Sequence, residues 1–168
     1  MTMKDYRTIV VGTDGSSLGE PTVGRAAWLA KHDDADLVIV CAYAQMSRRT
    51  EAKNVATLGG DPRVGQVLGR DAASRALSEA MKVAGAEGAT VTAALLIDGE
   101  PSKALVSTAE ERSADLIVLG GVHDRSLADR LLGSTALEVT KRARCDVLIV
   151  RPEGGDGELE VPEDAPGV

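Results

Sequence analysis

The stretch that decides the fold of this chain is GGVHDRSLADRLLGST, which occupies residues 120–135. It follows a short apolar run, DLIVL at residues 115–119, which is typical of a fully buried strand. It precedes ALEVTKR at residues 136–142, which is typical of a helix with basic residues in its last turn. The sequence therefore predicts a strand, a loop that starts with two glycines, and a helix that begins near a Gly-Ser-Thr step.

Two interpretations of this loop remain open from the segment alone. In the first, the loop holds an anion, because glycine lets the backbone approach a phosphate closely and the free N–H groups at a helix start point at it. In the second, the segment is an ordinary strand-to-helix crossover. Its glycines then only make turns, and Ser134 or Thr135 only caps the helix.

Length and composition predict one folded domain with an acidic tail. A chain of 168 residues with one Trp, two Tyr and no Phe must build its core from Val, Leu, Ile and Ala, as parallel sheets covered by helices do. Six of the 26 acidic residues lie in residues 152–168, which contain no Lys or Arg, and this leaves 20 acids against 19 bases in residues 1–151. We therefore expect a domain over residues 1–151 and a disordered tail over 152–168. The near-neutral domain does not predict a nucleic-acid partner.

Cysteine usage and hydropathy predict a cytoplasmic protein. The two cysteines, Cys41 and Cys145, lie in or beside apolar runs without a Cys-x-x-Cys pattern, so a disulfide framework is not expected and two small buried residues are. The N-terminus lacks the apolar core of a signal peptide, and no apolar run reaches membrane-spanning length.

Five short apolar runs, each of strand length, alternate with helical patterns along residues 8–150. The runs lie at residues 8–11, 36–43, 89–97, 115–119 and 146–150. Helices are predicted after Ser16 or Ser17 as a cap, over residues 66–86, from Pro101, and over 136–142. The predicted fold is α/β: a single doubly wound five-stranded parallel sheet with helices on both faces. Ligands of such sheets bind at the carboxyl ends of the strands where strand order reverses, so residues 12–14 and 120–135 should border one crevice.

At this point the sequence resembles the universal stress protein family over roughly residues 6–151. The landmarks are VGTDGS at residues 11–16, GEP at 99–101, ADLIVLG at 114–120, and LGS at 132–134 followed by DVLIV at 146–150. The nucleotide-binding branch of that family carries a Gly-x2-Gly-x9-Gly-(Ser/Thr) motif. Gly120, Gly133 and Ser134 keep the spacing, whereas His123 stands at the second glycine position. The pattern is most similar to small actinobacterial members, some of which bind cyclic AMP as well as ATP.

The resemblance implies that the ligand is ATP or cyclic AMP, with Mg²⁺ as a companion of ATP. It implies an adenosine side at Gly12, Thr13 and Asp14, and an adenine edge along the main chain at Ala42 and Tyr43. It implies a phosphate side at Gly120, His123, Gly133, Ser134 and Thr135.

Several of these residues have a second interpretation. Asp14 can accept hydrogen bonds from ribose hydroxyls, but aspartate is also a favoured turn residue. Arg125 and Arg130, inside the motif loop, are solvated surface charges or phosphate contacts. His123 blocks the phosphate site, adds a contact to it, or points to solvent.

Three functions remain in competition. The first is a nucleotide-binding regulatory or nucleotide-buffering protein, which by the resemblance is a homodimer paired through the last strand, residues 146–150. The second is an enzyme, which the sequence disfavours because it lacks both a Gly-x4-Gly-Lys-(Ser/Thr) loop and a Gly-x-Gly-x-x-Gly turn, leaving at most slow ATP hydrolysis. The third is a family member that has lost nucleotide binding and acts through protein contacts, an alternative that rests on His123.

Overall fold

A computed structural model describes residues 5–45, 67–121 and 133–151 of the protein. The strands are β1 Thr8–Gly12, β2 Asp36–Ala44, β3 Val67–Leu68, β4 Val91–Asp98, β5 Leu116–Gly120 and β6 Asp146–Val150. The helices are α1 Gly19–Asp33, α2 Arg70–Glu87, α3 Pro101–Glu111 and α4 Ser134–Arg142. None of these described helices is long and apolar enough to cross a membrane. The predicted tail over 152–168 lies outside the described residues.

The main sheet has five parallel strands in the order β4-β2-β1-β5-β6. The chain first builds outward from β1 through β2 to β4, and then crosses back to place β5 on the other side of β1. The strand order therefore reverses between β1 and β5. The predicted doubly wound, five-stranded parallel sheet is confirmed.

The sequence did not predict the two-residue strand β3, which pairs with the end of β2. The carbonyl of Val40 accepts a hydrogen bond from Thr13 N at 3.0 Å, and that of Ala44 accepts one from Gly69 N at 3.0 Å. Carbonyls four residues apart on a strand face the same side, so β3 lies on the β1 side of β2, beyond the carboxyl end of β1. A two-residue strand has no periodicity of its own, which is why the pattern of the sequence could not reveal it.

Helices cover the sheet in two layers, each with its own apolar core. Because side chains alternate along a strand, Ile9 and Val11 face α1 and α2, whereas Val10 faces α3 and α4. Small apolar residues of α1 are buried against the sheet: Val23, Ala26, Ala27 and Ala30. Trp28, on the opposite side of α1, is 50% exposed.

Carboxylates hold the segment before β1 at the amino end of the sheet. Asp115 Oδ2 accepts hydrogen bonds from Arg7 N and Thr8 N, at 2.8 and 3.0 Å. Asp33 Oδ2 accepts from Tyr6 N at 2.9 Å, and Asp33 Oδ1 lies 2.9 Å from Nδ1 of His32. The hydrogen bond with His32, followed by that from Tyr6, holds the pKa of Asp33 below its ordinary value of 3.8.

We expect Asp33 to contribute stability that disappears in acid. Its pKa is lowered on folding, so the contribution is complete above the unfolded pKa near 3.8 and is lost as pH falls through the folded pKa. Urea unfolding should show Asp33→Asn less stable than wild type near neutral pH, with the difference shrinking as pH falls through the lowered pKa of Asp33. Asp34→Asn, the same change at an exposed neighbour, is the matched control. A pH-independent difference for Asp33→Asn would contradict the prediction.

Candidate functional site

The candidate site is the crevice at the carboxyl ends of β1 and β5, where the strand order reverses. The turn after β1 and the start of the loop after β5 border it. Gly121 N donates to Val150 O at 2.8 Å, so the first residue after β5 is fixed to the end of β6. Because β1 and β5 are paired neighbours, the turn after β1 lies beside Gly120 and Gly121, while residues 122–132 of the predicted border lie outside the described residues.

The turn after β1 is organised by its own side chains. Asp14 Oδ1 accepts a hydrogen bond from Ser16 N at 2.9 Å, and Thr13 Oγ1 lies 3.4 Å from Gly15 N. Asp14 is exposed, so its carboxylate keeps further acceptor capacity beside its role in the turn. The proposed contact between Asp14 and a ribose stays a prediction.

The sequence-based expectation that Ser16 or Ser17 caps α1 is wrong. The helix begins at Gly19 with Leu18 as the N-cap residue, and no side chain caps it. The carbonyl of Ser16 instead accepts from Gly19 N at 2.9 Å. The turn held by Asp14 occupies residues 14–16, and the helix can start only after it.

Gly12 and Gly120 face protein and not open space. A Cβ at Gly12 would lie 3.1 and 3.2 Å from the two Cδ atoms of Leu105 in α3. A Cβ at Gly120 would lie 2.8 Å from Cδ2 of Leu18 and 3.1 Å from Oγ1 of Thr22 in α1. The sequence singled out these glycines because a phosphate must approach the backbone closely. The structure gives a second reason for glycine at both positions, because neighbouring helices fill the space that a side chain would need.

The start of α4 carries the clearest binding feature. Gly133 is the N-cap residue and no side chain of the described residues caps the helix, so the alternative in which Ser134 or Thr135 is the cap is wrong. Both are the first residues of the helix itself, and the amide of Leu137 is the one that bonds back to Gly133 O, at 2.9 Å. The amides of Ser134, Thr135 and Ala136 precede it and have no acceptor within the helix. Their partial positive charge suits an anion.

Ala42 and Tyr43 lie at the end of β2 in a paired stretch of main chain. Tyr43 pairs with Asp98 of β4 and with Val67 of β3, and its carbonyl accepts from Gly99 N at 2.9 Å. Ala42 and the Tyr43 side chain are buried, on opposite faces of the sheet. An adenine contact at this main chain stays a prediction.

Among the described residues, the thiol nearest the turn after β1 is a buried core group. Burial raises the pKa of the Cys41 thiol to about 12, with a smaller contribution from the negative charge of Asp14. Cys41 is therefore a neutral core residue, as expected from its sequence context. Within residues 5–45, 67–121 and 133–151, no group of three or more His, Cys, Asp or Glu side chains is placed to hold a metal ion. His123, Arg125 and Arg130 lie outside these ranges.

A second concave surface lies between α1 and α2, and the sequence did not predict it. This groove encloses about 360 Å³ and is lined by Glu20, Pro21, Gly24, Arg25, Trp28, Val83 and Glu87. Trp28, the single tryptophan of the chain, stacks on His32 with ring centroids 5.5 Å apart. The groove shares no lining residue with the crevice at β1 and β5.

Comparisons with known proteins agree with this architecture. The model of a family described as the universal stress protein family matches residues 5–151. Universal stress protein Rv1636 of Mycobacterium tuberculosis H37Rv is 39% identical over 148 residues, which is 88% of this chain and 98% of that protein.

Two solved structures with bound nucleotides resemble the fold. A universal stress protein in complex with cAMP is 35% identical with a TM-score of 0.64, over 88% of this chain and 98% of that one. The universal stress protein from Archaeoglobus fulgidus in complex with dAMP is 25% identical with a TM-score of 0.61, over 86% and 98%.

We expect Gly15→Ala to destabilise the turn that bears Asp14. Gly15 has φ +72°, and a Cβ there would lie 2.9 Å from Cβ of Ala76 in α2. The strain and the clash together should cost about 1–3 kcal/mol of unfolding free energy in urea titrations. Gly85→Ala is the control, because a Cβ at Gly85 meets nothing within 4 Å and should leave stability equal or higher. Equal stability of Gly15→Ala and wild type would contradict the assigned turn.

Proposed function

Because this chain belongs to the universal stress protein family, we propose that it binds an adenine nucleotide, ATP or cyclic AMP, in the crevice between the β1 and β5 loops. In this proposal it acts in the cytoplasm as a stress-response regulator or nucleotide buffer. The ligand's phosphate lies at the start of α4, and its adenosine lies toward the turn after β1.

The open helix start at Ser134 is the observation that carries this proposal. A serine or aspartate at the N-cap position would direct its own oxygen at the first amides of α4. The N-cap residue here is Gly133, which has no side chain to do so. Within α4 and its N-cap residue the amides of Ser134, Thr135 and Ala136 have no acceptor, and phosphate oxygens are well suited to them. The hydroxyls of Ser134 and Thr135, on residues that are exposed and half-buried, add two further donors.

Two relatives support adenine as the base but do not choose the ligand. One is described in complex with cAMP and another in complex with dAMP. Both ligands contain adenine and a phosphate. The open amides of α4 need only a phosphate, so they do not distinguish one adenine nucleotide from another. ATP would carry Mg²⁺ on its own phosphates, since the described residues offer no cluster of carboxylates for the ion.

We propose that the protein binds its nucleotide and hydrolyses ATP slowly at most. The turn after β1 and the start of α4 supply amides, hydroxyls and one exposed carboxylate, Asp14. Such groups hold a nucleotide, whereas rapid phosphoryl transfer requires a positioned base or water-orienting residue and a charge clamp.

A family member without nucleotide binding is the second candidate, and His123 is the observation that favours it. The histidine replaces the second glycine of the motif. Calorimetry with cyclic AMP on wild type and His123→Gly separates the two. Binding by both proteins supports our proposal, whereas binding by His123→Gly alone would show that the histidine closed the site.

We further propose that the protein is a homodimer paired through β6. This strand is the edge of the sheet next to β5, and its apolar residues 147–150 are only half-buried. Val150 O accepts from Gly121 N and Asp146 N donates to Asp115 O, so these residues face β5. The alternate residues, Val147 and Ile149, direct their N–H and C=O groups outward, where a second copy can pair with them.

We expect Gly133→Asp to abolish nucleotide binding without destabilising the fold. The new carboxylate would cap α4 and repel phosphate. Calorimetry with ATP and cyclic AMP should show an affinity loss of at least about 100-fold, or 2.7 kcal/mol. Gly133→Asn, a neutral cap of the same shape, should lose less affinity. Unchanged affinity in Gly133→Asp, with wild type binding, would place the phosphate elsewhere.

We expect Ile149→Pro to separate the dimer. Proline removes an outward N–H from β6 and leaves the bonds to β5 in place, as edge strands tolerate. Light scattering after size-exclusion chromatography should report a dimer for wild type and a monomer for the variant. Ile149→Val, which keeps the N–H, should remain dimeric. A folded, dimeric Ile149→Pro would contradict pairing through β6.

A further inference from the structure

At the point where strand order reverses, two neighbouring strands both end in glycine. Gly12 ends β1 and Gly120 ends β5. The space that a side chain would need is filled at each glycine by a leucine, and the two leucines come from opposite helical layers. Leu105 of α3 fills it at Gly12, and Leu18 at the start of α1 fills it at Gly120.

The contact at Gly120 leaves no room for a methyl group. Leu18 is 5% exposed, and both its Cδ2 and its Cγ lie within 3.0 Å of the position of a Cβ on Gly120. Rotation of the terminal methyls cannot clear Cγ. On the same side stands Thr22 Oγ1, at 3.1 Å, and it is held there because the buried hydroxyl donates to Leu18 O at 2.6 Å.

The first turn of α1 is connected to the rest of the crevice. Gly19, the first residue of α1, lies against the turn after β1, since a Cβ there would meet Thr13 Oγ1 at 3.2 Å. Displacing Leu18 from Gly120 would therefore displace the turn that bears Asp14 as well. One helix start thus sets the relative position of both loops.

We propose that Leu18 and Leu105 are positioning residues of the nucleotide crevice, and that Gly120 and Gly12 lack side chains because these leucines need the space. The proposal rests on the nucleotide-binding function proposed above. In this proposal Gly120, the first glycine of the motif, is needed for the packing of α1 against β5. The phosphate is contacted by the start of α4.

The test is a rescue experiment on the pair Leu18 and Gly120. Affinity for cyclic AMP and ATP is measured by calorimetry, and melting temperature by circular dichroism. Gly120→Ala should lose about tenfold or more in affinity, because the methyl group pushes the first turn of α1 away from β5. Leu18→Ala alone should lower the melting temperature by several degrees and should weaken affinity less than Gly120→Ala does, because it removes packing at the end of β5 without pushing α1 away from the strand.

The double variant Leu18→Ala/Gly120→Ala decides the matter. Its affinity should return to within about threefold of Leu18→Ala, because the clash with Cγ and Cδ2 of Leu18 is gone, while its melting temperature stays below that of wild type, because one methyl group does not replace the lost leucine side chain. A purely structural role would move the two quantities together. The pair Leu105→Ala/Gly12→Ala should behave in the same way with a smaller effect, since its contacts are 3.1 and 3.2 Å. Gly85→Ala, with open space at its Cβ, is the control and should change neither quantity adversely.

A double variant that binds as weakly as Gly120→Ala would overturn the inference, because the ligand itself would then require the glycine. If wild type binds no nucleotide, the proposed function fails. The melting temperatures of the single and double variants then still test the contact between Leu18 and Gly120. Losses that are strongly non-additive in the double variant would support the assigned contact, and additive losses would overturn it.

Discussion

The close approach of α1 to the end of β5 is the contact on which the candidate site depends. A parallel sheet that reverses its strand order opens a crevice at the reversal, but the crevice has a useful shape only if its floor is closed. At the end of β5 Leu18 fills the place of a missing side chain from one helical layer, and at the end of β1 Leu105 does so from the other. Glycine at these two strand ends is therefore a packing requirement first, and its effect on a ligand follows from where the helices come to lie.

The contacts at the amino end of the sheet stabilise the fold, whereas the groups at its carboxyl end are available for the proposed binding. At the amino end, Asp33 and Asp115 satisfy the backbone amides of residues 6–8, and Asp146 accepts from the hydroxyl of Tyr6 at 3.1 Å. At the carboxyl end, the amides that begin α4 have no such partner in the helix or its N-cap residue.

The elements that the sequence predicted correctly are those with a strong pattern. Runs of β-branched and aliphatic residues located the five main strands, and their alternation with helices gave the doubly wound order. The sequence did not predict the two-residue β3, because its pairing with Tyr43 depends on the register of the sheet and not on the residue types of β3. The caps at Ser16 and Ser17 were wrong because Asp14 organises the turn first, a competition between local hydrogen bonds that no periodicity records. The motif glycines were found, but Leu18 is a hundred residues from Gly120, so its contact could not be predicted.

The proposed dimer and the proposed nucleotide site meet at one hydrogen bond. Gly121, the first residue after β5, donates to Val150 at the end of β6. If a second copy pairs along the outer edge of β6, it constrains the strand to which Gly121 is bonded, and that constraint bears on the proposed nucleotide site as well. Linkage makes such a coupling reciprocal: if pairing of the two copies changes nucleotide affinity by some factor, nucleotide changes the dimerisation constant by the same factor. A glycine-bearing loop bound to an edge strand is in this way suited to report nucleotide through assembly, without any catalytic step.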